Sequence, residues 1–448
     1  MAPSTTAGPR HSPHPHRIVV VGGGMAGSRL VQQLAGYRTG AEVTVIGEEP
    51  HPPYNRVLLA EVLAGRYAPE VAALPSPAST AGIRTLRGTR AVRIDRTAAE
   101  VHCSDGQRVP YDELVLATGA NPVLPPLRGP ADHGPHGGGT LPAGVHPFRT
   151  LDDCLALSAA ARPGLPAVVI GGGLLGVSAA RALARLGCRV VLAQQGEQLM
   201  ERLLDAAAAR ELVRHLEASG VEVHTECWAR GLLTGPGNEA PDGSPRRRRD
   251  RGGARAVHAV ELADGYVLDA QLVVLACGVR PRTRLARDAG LDVRHGIVVD
   301  DRLRTSDPRI HAIGDCSEHD GVVHGLAGPA REQADVLAAI LAGREPAPRY
   351  TGTRLLTRLT LAAHGSRGPF DLAAFGDVRP APGDEVVRLS DATRGAYRKV
   401  VVRDGRLAGG ILLGDLSGVG ALSRTWERDE PLPADSLLHL FTDHGGPR

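Results

Sequence analysis

The sequence predicts an α/β protein with two interleaved Rossmann-like dinucleotide-binding domains and a small α+β domain at the C-terminal end. Three observations carry that expectation. Two glycine-rich turns, GGGMAG at Gly22 to Gly27 and GGGLLG at Gly171 to Gly176, each follow a β-branched run and open an Ala/Leu-rich stretch with helical spacing. A carboxylate closes the strand that follows the first turn. From about residue 350 the pattern changes to short strand-like runs, EVVRLS, YRKVVVRDG and LAGGILLGD, separated by turn residues and followed by a helical stretch from Val419 to Trp426.

The first turn follows RIVVV. Gly22, Gly24 and Gly27 stand where a dinucleotide loop needs a tight turn, close backbone approach to a pyrophosphate and helix-on-strand packing, with Met25 and Ala26 between them. The helix N-terminus adds partial positive charge beside the phosphates. The next strand, AEVTVIG, leads to Glu48, at 48 − 27 = 21 positions past the last glycine, where a carboxylate accepts the hydroxyls of an adenosine ribose. Gly171, Gly173 and Gly176 repeat the pattern after PAVVI, with Leu174 and Leu175 inside the loop. There the corresponding strand ends in Gln194 and Gln195, and the nearest carboxylate is Glu197. Gln194 can still hydrogen-bond a ribose hydroxyl, so this loop reads as a nicotinamide-dinucleotide site that favours NADH without excluding NADPH.

Motif order gives the organisation. One dinucleotide domain is split over about 17–145 and 285–345, the second is inserted as about 146–284, and the α+β domain covers 350–448. Residues 1–16 lack an apolar h-region and read as a disordered tail, which places the chain in the cytoplasm. The Gly/Pro/Asp-rich stretch around Arg246 to Arg249 reads as a flexible, solvated loop at 235–253.

Composition narrows the function classes. A 448-residue chain with 42% hydrophobic residues is long enough for about three ordinary domains. Its net charge of +3 is too small to argue for nucleic acid, and it has no apolar run long enough to cross a bilayer. Six cysteines, Cys103, Cys154, Cys188, Cys227, Cys277 and Cys316, are scattered without C-x-x-C spacing, so neither a metal cluster nor a redox pair is expected. Cys316 is set apart by its place directly after Asp315. Lysine occurs once, at Lys399.

Further motifs carry a resemblance. They are YDELVLATGANP (Tyr111 to Pro122), LVVLACGVRP (Leu272 to Pro281), IHAIGDC (Ile310 to Cys316), PHPPYNRVLLAEVLAG (Pro50 to Gly65), HPFRTLDD (His146 to Asp153) and LMERLLD (Leu199 to Asp205). Over about residues 17 to 425 the chain resembles the pyridine-nucleotide-dependent FAD oxidoreductases. Within them it is most similar to the N-terminal flavoprotein part of nitrite reductase large subunits and nitrate reductase electron-transfer subunits. The resemblance implies FAD on the first loop, with Tyr54, Asn55, Arg56, Ala117, Thr118, Gly119, Gly314 and Asp315 around it, and a helix starting near Pro329 aimed at the flavin ring. It implies NADH, or NADPH, on the second loop beside Ala276 and Gly278. No metal and no acid/base residue is assigned, because hydride transfer occurs between the two cofactors.

Disulfide reductases of this resemblance carry cysteine shortly after the first helix, and residues 28–102 contain none. Electrons are therefore expected to leave for a separate acceptor protein, either a nitrite or nitrate reductase component or a ferredoxin-like carrier, from a chain that reads as the NADH-oxidising half alone. Oligomerisation is compatible with this reading. Ferredoxin or rubredoxin reductase of another pathway is the alternative, weakened because Val57 to Gly65 lacks lysine. A non-catalytic NADH-responsive flavoprotein is a third reading, kept open by Ser178, which stands where many relatives carry a glutamate.

Overall fold

The computed structural model describes residues 15–75, 82–129, 141–236, 255–361, 369–391 and 395–432. The tail expected over 1–16 falls outside them up to residue 14, and so does the Arg246 to Arg249 run. Eight α-helices are present among the described residues: α1 (Met25–Tyr37), α2 (Leu59–Leu63), α3 (Leu151–Ala160), α4 (Leu174–Arg185), α5 (Ala206–Ala218), α6 (Arg284–Asp288), α7 (Ala327–Leu341) and α8 (Val419–Glu427). The chain divides into two compact units, residues 1–55, 73–121 and 281–353 in one and 56–72, 122–280 and 354–448 in the other.

The first unit is built on a parallel sheet ordered Ile310–Ala312, Glu113–Leu116, Arg17–Val21, Glu42–Gly47, Ile83–Arg87. Its central strands are apolar on both faces because they share one core with α1 and α7 and with the antiparallel strands Ala91–Asp95, Glu100–Cys103 and Arg108–Pro110. Val19, Val20, Leu114 and Val115 are all at most 1% exposed. On one face α1 lies against α7, tied by Arg29 to Asp335 at 2.6 Å. A three-stranded antiparallel sheet, Ala91–Asp95, Glu100–Cys103 and Arg108–Pro110, completes this unit beside α6.

The second unit repeats the theme. Its parallel sheet runs Val221–His224, Arg189–Ala193, Pro166–Ile170, Leu272–Leu275, Val145–Pro147. Residues 56–72 belong to this unit, and α2 packs on α3 and α4. One ion pair fixes that packing: Arg181 on α4, its side chain 1% exposed, donates to Glu61 on α2 at 2.6 Å. Burial pulls the Arg181 pKa down and Glu61 opposes it, so the carboxylate offsets part of the cost of burying a guanidinium. A capping box starts α3, where Thr150 Oγ1 accepts from the Asp153 N–H and the Asp153 carboxylate accepts from the Thr150 N–H.

The last third forms a five-stranded antiparallel sheet ordered Leu356–Leu361, Phe370–Gly376, Arg406–Leu413, Ala396–Arg403, Glu385–Asp391, with α8 laid on it. Phe375, Val400, Leu412, Leu422 and Trp426 make its core. The first two of these strands were not marked by the sequence pattern. Phe370–Gly376, FDLAAFG, is buried at four consecutive residues and so shows no alternation, and Leu356–Leu361 carries arginine at its exposed position 358. Lys399 is buried here at 2% exposure, donating to Asp205 at 2.9 Å and to the Val378 carbonyl at 2.8 Å. Tyr397 donates to the same Asp205 oxygen at 2.7 Å. Burial pushes the Asp205 carboxyl up, but the Ala208 N–H, Lys399 and Tyr397 outweigh it and hold it below the usual carboxylate range.

Candidate dinucleotide sites

The two glycine loops fold identically, each in its own unit. In the first, strand Arg17–Val21 turns through Gly22 to Gly24 into α1, and Gly22 donates its N–H to Ile46 O at 2.8 Å. Gly22 has φ +122°, and a side-chain carbon on it would lie 2.1 Å from Ala117 O. A carbon on Gly27 would lie 2.0 Å from Gly22 O. Gly24, by contrast, would meet nothing within 4 Å. Two glycines therefore close the turn against the neighbouring strand and the helix, while the third leaves an open approach to the backbone. No side chain caps α1, and its first turn carries no acid, so its leading N–H groups are left for an anion.

In the second, strand Pro166–Ile170 turns through Gly171 to Gly173 into α4, and Gly171 donates to Ala193 O at 2.8 Å. Gly171 has φ +110° and would press on Ala276 O at 2.5 Å; Gly176 would press on Gly171 O at 1.7 Å; Gly173 is open. Leu174, Leu175 and the buried Val177 and Ser178 continue the helix, again without an acid in the first turn or a capping side chain. Ala117 and Ala276 thus play one role twice, each bonded to the last residue of the loop's own strand, Val21 or Ile170. Both loops fit the phosphates of a dinucleotide.

Around the first loop the structure gathers most of the residues named for FAD. Gly314, at φ +77°, stands with its would-be carbon 3.0 Å from Ala26 Cβ, which sets Asp315 beside the start of α1. Gln333 on α7 holds that turn by accepting from the Gly314 N–H at 2.7 Å. The helix begins at Ala327, two residues before Pro329. Thr118 spends its hydroxyl on Arg282 O at 2.8 Å, while Gly119 O accepts from the Arg282 N–H at 2.9 Å. Met25 is the first residue of α1. Cys316 is fully buried, its thiol directed at the carbonyls of Leu116 and Ile313 and pushed up by burial. It is a packing residue there.

Glu48 follows strand Glu42–Gly47 as expected, and an arginine the sequence did not single out is on it. Arg282 donates to Glu48 at 2.8 Å and also reaches Asn121. Its signal was its position, directly after the LVVLACGVRP motif, but nothing in the sequence pairs residues 48 and 282. Tyr54 donates to Glu49 at 2.6 Å in the same unit, near Asn55. Arg56 belongs to the second unit, where it donates to Arg149 O at 2.9 Å.

At the second loop, Gln194 does not point away from the fold. Its Oε1 accepts from the Gly172 N–H at 2.8 Å and its Nε2 donates to Glu201 Oε1 at 3.2 Å. Glu197 is exposed. Gly278 has φ +100° after Cys277, whose thiol burial raises to about 11. Cys103, Cys154, Cys188 and Cys316 are buried, all six cysteines are unpaired, and no metal-ligating cluster occurs among the described residues. Nor is any helix there long and apolar enough to cross a membrane.

Comparison with known proteins places the chain in a family. The family described as pyridine nucleotide-disulphide oxidoreductase matches residues 16–334, and the rubredoxin NAD+ reductase C-terminal domain matches 369–429. A Bacillus subtilis nitrite reductase [NAD(P)H] is 34% identical over 95% of this chain and 49% of its own length. The assimilatory nitrate reductase electron transfer subunit of the same organism is 33% identical over 94% of the chain and 49% of its own. The chain therefore spans about half the length of these two relatives. Among solved structures, a ferredoxin reductase from Rhodopseudomonas palustris superposes with a TM-score of 0.73 at 26% identity, covering 89% of this chain and 91% of its own.

Proposed function

The chain belongs to the pyridine nucleotide-disulphide oxidoreductase family, flavoproteins that use FAD and NAD(P)H, and from that premise we propose that it takes a hydride from NADH and passes electrons to a separate protein of nitrite or nitrate assimilation. The carrying observation is the pair of equivalent open loops on two separate parallel sheets, one per dinucleotide. FAD, when bound, supplies the step from two-electron hydride chemistry to single-electron output. This chain's residues supply the rest. The loop N–H groups of Gly22 to Gly27, with the uncapped α1 terminus, hold the FAD pyrophosphate; Glu48 takes the adenosine ribose and Asp315 the ribityl chain. Gly171 to Gly176 and α4 hold NADH.

A separate acceptor is favoured because no cysteine occurs in residues 28–102, where a disulfide or sulfenate acceptor of this family would stand. Burial also keeps the remaining thiols protonated. Work in the cytoplasm fits this reading. A ferredoxin or rubredoxin reductase is the second reading, favoured by the match of residues 369–429 to a rubredoxin reductase domain and by the ferredoxin reductase likeness. Anaerobic titration with NADH and with NADPH, following flavin absorbance, then mixing with purified acceptors, tests both. Rapid bleaching by NADH and reoxidation by a nitrite or nitrate reductase component supports the first reading; reoxidation by a ferredoxin or rubredoxin alone supports the second. A yellow protein that neither nucleotide bleaches refutes both.

A further inference from the structure

We infer that Glu201, rather than a residue ending the strand before it, is the side chain that makes the second loop select NADH over NADPH. The inference rests on the second loop's being the nicotinamide-dinucleotide site. In such a loop the discriminating position lies about 20 residues past the last glycine, at the end of the second strand. Here that position is Gln194, at 194 − 176 = 18, directly after strand Arg189–Ala193. Gln194 is neutral and both ends of its amide are already engaged, Oε1 by Gly172 and Nε2 by Glu201. It cannot by itself repel a 2′-phosphate.

The charge at that place comes from seven positions later. The segment Leu199 to Glu201 folds back on the loop: Met200 donates its N–H to Gly172 O at 2.9 Å, and Leu199 Cδ2 lies where a Gly172 side chain would be, at 2.5 Å. Glu201 Oε1 then occupies the notch above Gly196, 1.4 Å from where a side-chain carbon there would sit. Only glycine at 196 lets the carboxylate rest there. The segment is held from outside as well. Arg379 donates to Glu201 O at 3.1 Å, and Asp205, which caps α5 through the Ala208 N–H at 3.0 Å, is gripped by Lys399 and Tyr397.

The segment is thus held by its backbone, and the carboxylate itself is placed by the Gln194 amide and the seat over Gly196, at the end of the strand where the adenosine ribose of a bound dinucleotide would lie. A ribose 2′-hydroxyl can donate to it; a 2′-phosphate, carrying like charge a few ångströms away at surface-like dielectric, is opposed. The adjacent cation, Arg202, is exposed.

The test uses the flavin-loaded full chain and isothermal titration with 5′-ADP and 2′,5′-ADP, alongside the KM for NADH and for NADPH. Glu201→Gln keeps the length and the partner for Gln194 but removes the charge. It should tighten 2′,5′-ADP by roughly tenfold relative to 5′-ADP and lower the NADPH-to-NADH KM ratio by the same factor, since the lost repulsion acts on one ligand only. Gly196→Ala, which fills the notch and displaces the carboxylate, should move the ratio in the same direction. Equal weakening of both nucleotides in Glu201→Gln would make Glu201 a mere brace, and an unchanged ratio in both variants would also overturn the inference while leaving the NAD(P)H reading intact. Failure of the parent protein to bind either nucleotide would instead remove the reading on which the inference stands.

Discussion

Substituting Gly176 by alanine is the sharpest probe of the second loop. A carbon there would lie 1.7 Å from the Gly171 carbonyl oxygen, against about 3.3 Å for the closest ordinary carbon-to-oxygen contact. The loop and the start of α4 must therefore part by about 1.6 Å, and neither can yield locally, because Gly171 is wedged on Ala276 O and Val177 to Ala184 are buried. A misplacement near 1 Å at a positioning element costs on the order of 10²-fold, or about 2.7 kcal/mol at 1.36 kcal/mol per tenfold. We expect kcat/KM for NADH to fall by about that factor, chiefly through KM, with ferricyanide as acceptor. Flavin content, read from the visible absorbance per protein, should not change, since the first loop lies on a separate sheet. Gly27→Ala, whose carbon would lie 2.0 Å from Gly22 O, should give the reverse and purify without flavin. A Gly176→Ala protein that saturates at the parental NADH concentration, or that loses its flavin instead, would refute the assignment of the two loops.

Three further outcomes follow from the packing. Glu61→Ala removes the carboxylate that the Arg181 guanidinium, 1% exposed, donates to at 2.6 Å, and should cost about 3–5 kcal/mol in denaturant unfolding, whereas a loss under 1 kcal/mol would show the pair to be dispensable. The Arg17 guanidinium beside Asp112 holds that carboxyl at about 2. Because the folded value lies below the unfolded one, the stabilisation is complete above the ordinary aspartate range near ~4 and is lost as pH falls toward 2. Asp112→Asn should therefore flatten the Tm profile between those values, and an unaltered acid limb would contradict the pairing. Burial raises the Cys154 thiol to about 11, so it should resist a chromogenic disulfide reagent at pH 8 until the chain is unfolded; fast labelling of it in the native protein would disprove its burial.

The parts of the fold written in contiguous residues are legible in the sequence. RIVVV–GGGMAG and PAVVI–GGGLLG state a strand, a turn and a helix within about a dozen positions, and the steric requirement for glycine is local enough to read directly. The same is true of Glu48, whose distance from the loop is fixed by one helix and one strand, and of the α8 stretch, whose apolar spacing marks a helix. What depended on residues far apart was not legible. Arg282 reaches Glu48 across 234 positions, and Asp205 finds Lys399 across 194. Even over the seven positions from Gln194 to Glu201, the sequence offered Glu197 as the nearer carboxylate, because only the fold-back on Gly172 and the notch over Gly196 decide which of two glutamates faces the loop. The sequence by itself determined where backbone must bend and where N–H groups gather, since those follow from side-chain volume at a few neighbouring positions. Tertiary structure alone decided which charges meet, since an ion pair depends on where distant segments come to rest.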